Sequence, residues 1–108
     1  MNEKNYSRVI SLAGEVEYQT GAVVSKTLVG KKGGTVTLFA FDKGQGLSEH
    51  TAPYDALVFI FDGEADITIS GTDFHLKSGE SIIMPANEPH ALQAVSPFKM
   101  MLVMIKSD

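Results

Sequence analysis

Short runs of β-branched and aromatic residues, separated by glycine-containing turns, constrain the fold of this chain more than any other feature. Four runs have the length of β-strands: residues 23–29, 35–41, 57–61 and 65–70. Turn signals lie between the runs or follow them, at residues 33–34, 44–46, 62–63, 70–73 and 77–80. This spacing is typical of a sandwich or barrel, so the sequence predicts an all-β fold. A helix is conceivable only near the first dozen residues.

Two of the turn signals predict hairpins. Asp62-Gly63 lies between two apolar runs, and glycine accepts the positive φ that a two-residue hairpin turn requires. Residues 30–34, Gly-Lys-Lys-Gly-Gly, predict a second, exposed hairpin turn and lack the spacing of a phosphate-binding loop.

The length and composition predict one domain without covalent staples. A chain of 108 residues is of the size of one domain, and we expect a barrel core over about residues 8–106. It contains no cysteine, so no disulfide stabilises it and no thiolate is available as ligand or nucleophile. No Ser-His-Asp arrangement is visible either, so the sequence gives a hydrolase no support.

Charge and hydropathy indicate a cytoplasmic protein without a nucleic-acid or membrane partner. No apolar run approaches the length of a membrane span, and charges interrupt the first fourteen residues as they would not in a secretory signal. The net charge of −4 disfavours nucleic acid, and Lys26, Lys31 and Lys32 are too few and too scattered for a phosphate-tracking surface.

The C-terminal run, residues 98–105, is apolar without alternation. A strand that is apolar on both faces needs cover on both faces. One face can fill the barrel, and we predict that the other meets a second copy of the chain in a homodimer. Cover by a local N-terminal segment is the alternative. The three methionines of this run suit an adaptable pocket wall, although they would suit a core equally.

Two segments carry a family resemblance. In residues 44–63, Gly44, His50 and Gly63 match the pattern G-x5-H-x-H-x3-E-x6-G. In residues 79–94, Gly79, Pro85 and His90 match the pattern G-x5-P-x-G-x2-H-x3-N. In this order the two segments resemble the two motifs of the cupins. The resemblance implies a single, small jelly-roll β-barrel with its pocket between the motifs.

The departures from these motifs bear on function. Cupins of the metal-binding kind hold the ion with two histidines and a glutamate of the first motif and the histidine of the second. The resemblance therefore makes His50 and His90 the metal-ligand candidates, for a divalent transition metal. Ala52 and Ala56 stand at the other two ligand positions, while Asn87 and Ala94 replace the inner glycine and the final asparagine of the second motif.

A metal would need a recruited third ligand, since zinc and non-haem iron sites usually take three protein ligands. Asp55 precedes Ala56, and a regular strand would turn it to the opposite face unless a bulge intervened. Other oxygen donors nearby are Glu49, Tyr54, Glu88 and Gln93. His75 is expected to face solvent and has no motif role.

Two alanines at ligand positions leave a more apolar pocket. We expect its mouth to hold His50, Ala52, Tyr54, Ala56 and His90. The apolar lining candidates are Phe39, Phe41, Val58, Ile60, Met84, Leu92, Met100, Leu102 and Met104. A simply packed interior would use the same residues.

Three functions remain open. The first is a module that binds a small, partly apolar molecule without chemistry. The second is a metal-dependent dioxygenase or isomerase that uses His50 and His90. The third is a metal-free acid–base isomerase in which a histidine accepts a proton and Tyr54 donates one. No basic cluster that would bind phosphate accompanies Tyr54 in the sequence.

Overall fold

The computed structural model describes residues 5–106, and within them one short helix and eight strands. These are α1 (Leu12–Glu15), β1 (Val23–Lys31), β2 (Gly34–Phe41), β3 (Gly46–His50), β4 (Tyr54–Ile69), β5 (Thr72–Lys77), β6 (Ser81–Met84), β7 (His90–Gln93) and β8 (Phe98–Lys106). The prediction of an all-β domain is confirmed. None of the helical residues among those described forms a segment that could cross a bilayer.

The strands form one curled antiparallel sheet, which makes a half-barrel. The long strand β4 connects the two parts of this sheet, because its first half pairs with β8 and β6 and its second half pairs with β5 and β7. Strands β2 and β1 continue the sheet beyond β8, and β3 continues it beyond β7. The sheet therefore has two walls that β4 joins.

The hairpin predicted at Asp62-Gly63 is wrong, because both residues lie inside β4. A bulge between Ile60 and Asp62 shifts the register against β8. Up to Ile60 the buried residues of β4 have even numbers, and from Ala65 they have odd numbers. An inserted residue that bends a strand reverses its facing in this way, and Gly63, at φ +74°, supplies the backbone freedom. In sequence, a bulge and a hairpin turn have the same signature. The second predicted hairpin is confirmed, since β1 and β2 join through Lys32-Gly33.

The interior is packed most tightly at the end where β2 finishes and β8 begins. The rings of Phe41 and Phe98 stack with centroids 4.5 Å apart, and the Phe39 ring lies 5.8 Å from that of Phe41. Phe41, Ile60 and Met100 have no solvent exposure. This end of the half-barrel is closed by apolar side chains.

The outer face of β8 is covered in part by the N-terminal segment, which was the alternative to a partner subunit. A second apolar cluster joins this segment to the outer face of β1, β2 and β8, with Val16, Leu28, Leu38 and Ala40 buried at its centre. The Lys99 ammonium fixes the contact, since it donates to the Ala13 carbonyl at 2.7 Å and lies 4.9 Å from the centroid of the Tyr18 ring.

The opposite end of the half-barrel is its mouth. Residues 51–53 connect β3 to β4 there, and residues 85–89 connect β6 to β7. The backbone amide of Asn87 donates to the backbone carbonyl of Ala52 at 2.8 Å, which holds the two connections together. Asn87 has φ +66°, a conformation that asparagine tolerates better than most side chains, so it can occupy the position that glycine holds in the motif.

Candidate ligand-binding site

The structure brings His50 and His90 together at the mouth. They are direct cross-strand partners on β3 and β7. Their ring centroids lie 4.4 Å apart and the rings meet edge to face at 69°. His90 is 5% exposed, whereas His50 lies open to solvent. The motif resemblance therefore identified a real pair of imidazoles at the rim.

Backbone carbonyls fix which nitrogen of each ring carries the proton. The Nδ1 atom of His50 lies 2.7 Å from the Ser48 carbonyl oxygen, and that of His90 lies 3.1 Å from the Glu88 carbonyl oxygen. A carbonyl oxygen only accepts, so each Nδ1 donates. In the neutral ring this leaves Nε2 as an acceptor or ligand atom. Each histidine uses the carbonyl two residues before it, so the local chain alone orients both rings.

The environment keeps His90 uncharged. Burial is the main cause that lowers the pKa of His90 below its usual value, and the neighbouring His50 lowers it further, while the bond to the Glu88 carbonyl acts in the opposite direction. At neutral pH His90 therefore offers a lone pair rather than a charge.

His75 is at a different place and behaves in the opposite way. It is exposed on the outer face of β5, as predicted, where its two ring nitrogens face the carboxylates of Asp66 and Glu64. The bond to Asp66 is the first cause that raises the pKa of His75, and the bond to Glu64 is the second.

The two histidines predict opposite pH dependences of stability. The pKa of His90 is lowered on folding, so the unfolded chain takes up its proton first, and stability falls as the pH drops below about 6.5. The pKa of His75 is raised, so its contribution is complete below about pH 6.5 and is lost as the pH rises through the folded pKa. Urea unfolding at several pH values should show that the free energy of unfolding falls less steeply toward acid pH in His90→Asn than in the wild type. His75→Asn is the control: it should keep the acid-side loss caused by His90 but lack the decline in stability that the wild type shows above about pH 6.5. Equal profiles for both variants would contradict this assignment.

Methyl groups occupy the other two motif positions. Ala56 is 4% exposed on the inner face of β4, and its cross-strand partners are Met84 and Met104. Ala52 lies in the connection held against Asn87. Two of the four motif positions are thus apolar where a metal-binding cupin would carry an imidazole and a carboxylate.

The proposed third ligands do not join the histidines. Asp55 is exposed, its pairing with Ile105 is regular, and its Oδ1 accepts the Ala86 amide at 2.9 Å. Glu88 accepts the Ser70 hydroxyl, and Gln93 is exposed and donates to the Gly44 carbonyl at 3.3 Å. Glu49 is exposed on β3. The bulge that could have turned Asp55 inward occurs later in β4, at Ile60.

The donor set does not fit a metal centre of the family type. Within residues 5–106 no three His, Cys, Asp or Glu side chains lie where they could hold a metal ion together. Two imidazoles alone fall short of the three protein ligands of a typical zinc or non-haem iron site. The chemistry that the pair does support is hydrogen bonding through the two Nε2 atoms.

Tyr54 lies in surroundings that the sequence did not reveal. It lines a cavity of about 140 Å³ together with Lys31, Lys32, Gly34, Thr35, Met104 and Lys106. In the sequence, Lys31 and Lys32 have the pattern of scattered charges, with no basic cluster near Tyr54. Strand pairing nevertheless brings Lys106, far along the chain, to the end of the hairpin that carries Lys31 and Lys32. Lys106 lies beside Tyr54 because the two residues are cross-strand partners, and this register cannot be derived from the sequence without the fold.

The apolar lining candidates separate by depth. All nine belong to the main core cluster or pack against it. Met84, Leu102 and Met104 lie toward the mouth, in cross-strand contact with Ala56 or Val58. Phe41 and Met100 fill the closed end, and Leu92 pairs with Ile67 inside the other wall. We therefore expect a ligand to meet the first group rather than the second.

Comparisons with known proteins agree with this architecture. The family model described as "Cupin domain" matches residues 37–106. A conserved protein of unknown function from Streptococcus pyogenes is 40% identical, with a TM-score of 0.91 over 95% of this chain and 90% of that one. A cupin superfamily protein from Desulfitobacterium hafniense is 29% identical, with a TM-score of 0.88 over 94% and 93% of the two chains.

A longer relative carries the same unit. A cupin 2 conserved barrel domain protein from Leptotrichia buccalis is 46% identical, with a TM-score of 0.87 over 90% of this chain. This chain spans 47% of that protein's length. No curated protein matches the sequence.

Proposed function

This chain belongs to the cupin family, and we propose that it binds a small organic molecule at the mouth of the half-barrel without a metal ion. His50 and His90 accept hydrogen bonds from the ligand, and the apolar wall of Ala56, Met84 and Met104 receives its hydrocarbon part. Sites of this kind commonly combine an apolar lining with a few polar groups that fix orientation.

One observation carries the proposal: the two imidazoles lie 4.4 Å apart, and methyl groups occupy the remaining two ligand positions of the motif. Each Nδ1 atom donates a hydrogen bond to a backbone carbonyl, so the Nε2 atom of each ring is the one that can face a ligand. A ligand with hydroxyl or amide N–H groups would satisfy them. The metal-dependent enzyme has less support, because no third His, Cys, Asp or Glu side chain accompanies the pair among residues 5–106.

A thermal-shift screen of alcohols, polyols, amides and hydroxy acids tests the proposal. A ligand at about 100 times its Kd stabilises the folded state by about 2.7 kcal/mol, which a melting curve resolves. We expect such ligands to raise the Tm of the wild type and of His75→Asn, but to have little effect on His90→Asn. Ligands that stabilise His90→Asn as strongly as the wild type would place binding elsewhere and contradict the proposal.

We also propose that the chain forms a homodimer through the outer face of its larger wall. Leu57, Ile83 and Val103 are cross-strand neighbours there, beyond the N-terminal cover, and Ile83 is 63% exposed. A flat apolar face can pack on the same face of a second copy about a two-fold axis. Light scattering should give twice the 11.6 kDa mass of one chain for the wild type. An Ile83→Lys variant should shift toward the single-chain mass, and a monomeric wild type would contradict the proposal.

A further inference from the structure

The cavity beside Tyr54 is the strongest unassigned feature of the molecule. We propose that it is an oxyanion subsite, which binds a carboxylate or phosphate group of the ligand whose remainder lies at the histidine pair. In that respect the inference rests on the proposed function. The subsite itself is built from groups that the histidine pair does not use.

Backbone pairing joins the walls of the cavity. Lys31 pairs with Gly34 at the end of the β1–β2 hairpin, and Tyr54 pairs with Lys106 where β4 begins. The Lys106 amide donates to the Gly33 carbonyl at 3.0 Å, so the hairpin turn and the end of β8 are tied together. Two separate parts of the chain, the β1–β2 hairpin and the end of β8, thus contribute basic residues to the lining of one small space.

The charges around this space are not used elsewhere in the described structure. Within residues 5–106 the ion pairs involve Arg8, Lys26 and His75, and none involves Lys31, Lys32 or Lys106. Lys31 has a neighbour of another kind, since its Nζ lies 5.9 Å from the centre of the Tyr6 ring. Lys31, Lys32 and Lys106 all contribute to the lining of the cavity, so an anion there would meet positive charge in a chain whose net charge is −4.

A buried hydroxyl is a second, independent observation that points to a ligand. Thr35 lines the cavity, and its Oγ1 is the buried side-chain polar atom without a hydrogen-bond partner in the part of the chain that the structure describes. Such an atom destabilises the folded state and calls for a bound partner. An oxyanion in the cavity would give this hydroxyl an acceptor once the Thr35 side chain turned toward it, with the Tyr54 hydroxyl as a second donor.

The size of the cavity indicates a subsite rather than a complete site. A volume of about 140 Å³ is well below the roughly 300–1,000 Å³ of ordinary ligand pockets. Met104 belongs both to the cavity and to the apolar wall that adjoins Ala56. A molecule with an anionic group at the lysines could therefore extend its apolar part along Met104 toward the histidines.

The test is an amide NMR titration of the intact protein with inorganic phosphate, and separately with acetate, at constant ionic strength. We expect saturable shifts centred on the amides of Gly34, Thr35 and Lys106. The double variant Lys31→Gln/Lys106→Gln should lose about ten-fold in affinity, since hydrogen bonds to charged groups carry the binding. The variant Thr35→Val, which keeps the shape and removes the hydroxyl, should also bind more weakly.

The control is Lys43→Gln/Lys77→Gln, which removes the same charge from the surface outside the cavity. It should change the affinity less than two-fold; an equal loss in both double variants, or shifts that do not saturate, would overturn the subsite. The stronger of the two probes identifies the group as phosphate or carboxylate. Failure of the proposed function would be visible separately, as a lack of shifts at the His90 and Leu92 amides with the organic ligands of the screen.

Discussion

Replacing Gly63 by alanine is expected to lower the free energy of unfolding by about 2–5 kcal/mol, which is a large loss for the removal of one glycine. Two causes add. Gly63 has φ +74°, which costs a residue with a side chain about 1–2 kcal/mol. A Cβ atom at this position would also lie 2.1 Å from the Pro97 carbonyl oxygen, and overpacking costs about 1–3 kcal/mol more.

Gly71→Ala separates these two causes. Gly71 has φ +82°, but a Cβ atom there would meet nothing within 4 Å. It should therefore lose only the conformational part, about 1–2 kcal/mol. Urea unfolding of both variants gives the comparison. Equal losses would mean that the backbone of β8 does not approach Gly63 closely, and that the bend of β4 does not depend on this contact.

The second large effect is a gain of metal binding. Ala52→His is expected to raise the affinity for Zn²⁺ by about 100-fold or more, because three imidazoles complete the protein ligand set of a known type of zinc site. The structure supports this position because Ala52 follows His50 by two residues and is tied to the connection that leads to His90. Titration calorimetry with zinc on both proteins measures the gain.

Ala91→His is the matched control for this gain. It also adds one imidazole, next to His90 in sequence, but Ala91 pairs with Thr68 on the outer face of the wall. Its zinc affinity should stay close to that of the wild type. If Ala52→His gained no more than Ala91→His, the two native rings would not be oriented as a ligand pair, and the geometry described for the mouth would be wrong.

The sequence predicted those parts of the fold that depend on local chemistry. Strand runs and glycine turns indicated the all-β class, and motif spacing placed His50 and His90 at one site. The bend at Asp62-Gly63 escaped prediction because a bulge and a turn need the same positive φ. What distinguishes them is the pairing of β4 with β8, which is long-range.

The candidate site was predictable only in part, for a similar reason. The histidines and alanines of the motifs could be found by spacing. Lys31 and Lys106 meet only through the pairing of three strands, and Tyr54 joins them through the same register. Asp55 faces outward, as predicted for a regular strand. The inward-facing alternative could be rejected only after the structure placed the bulge of β4 at Ile60, beyond Asp55.

The proposed function depends on the histidine pair acting as a hydrogen-bonding anchor without a metal ion. Elemental analysis of the untagged protein, before and after chelation, decides this point when it is combined with a melting curve of each sample. We expect trace amounts of transition metal and an unchanged Tm after chelation. Near-stoichiometric iron, nickel, manganese or zinc, removed by the chelator with a fall in Tm, would contradict the proposal and would mean that an additional donor completes the site.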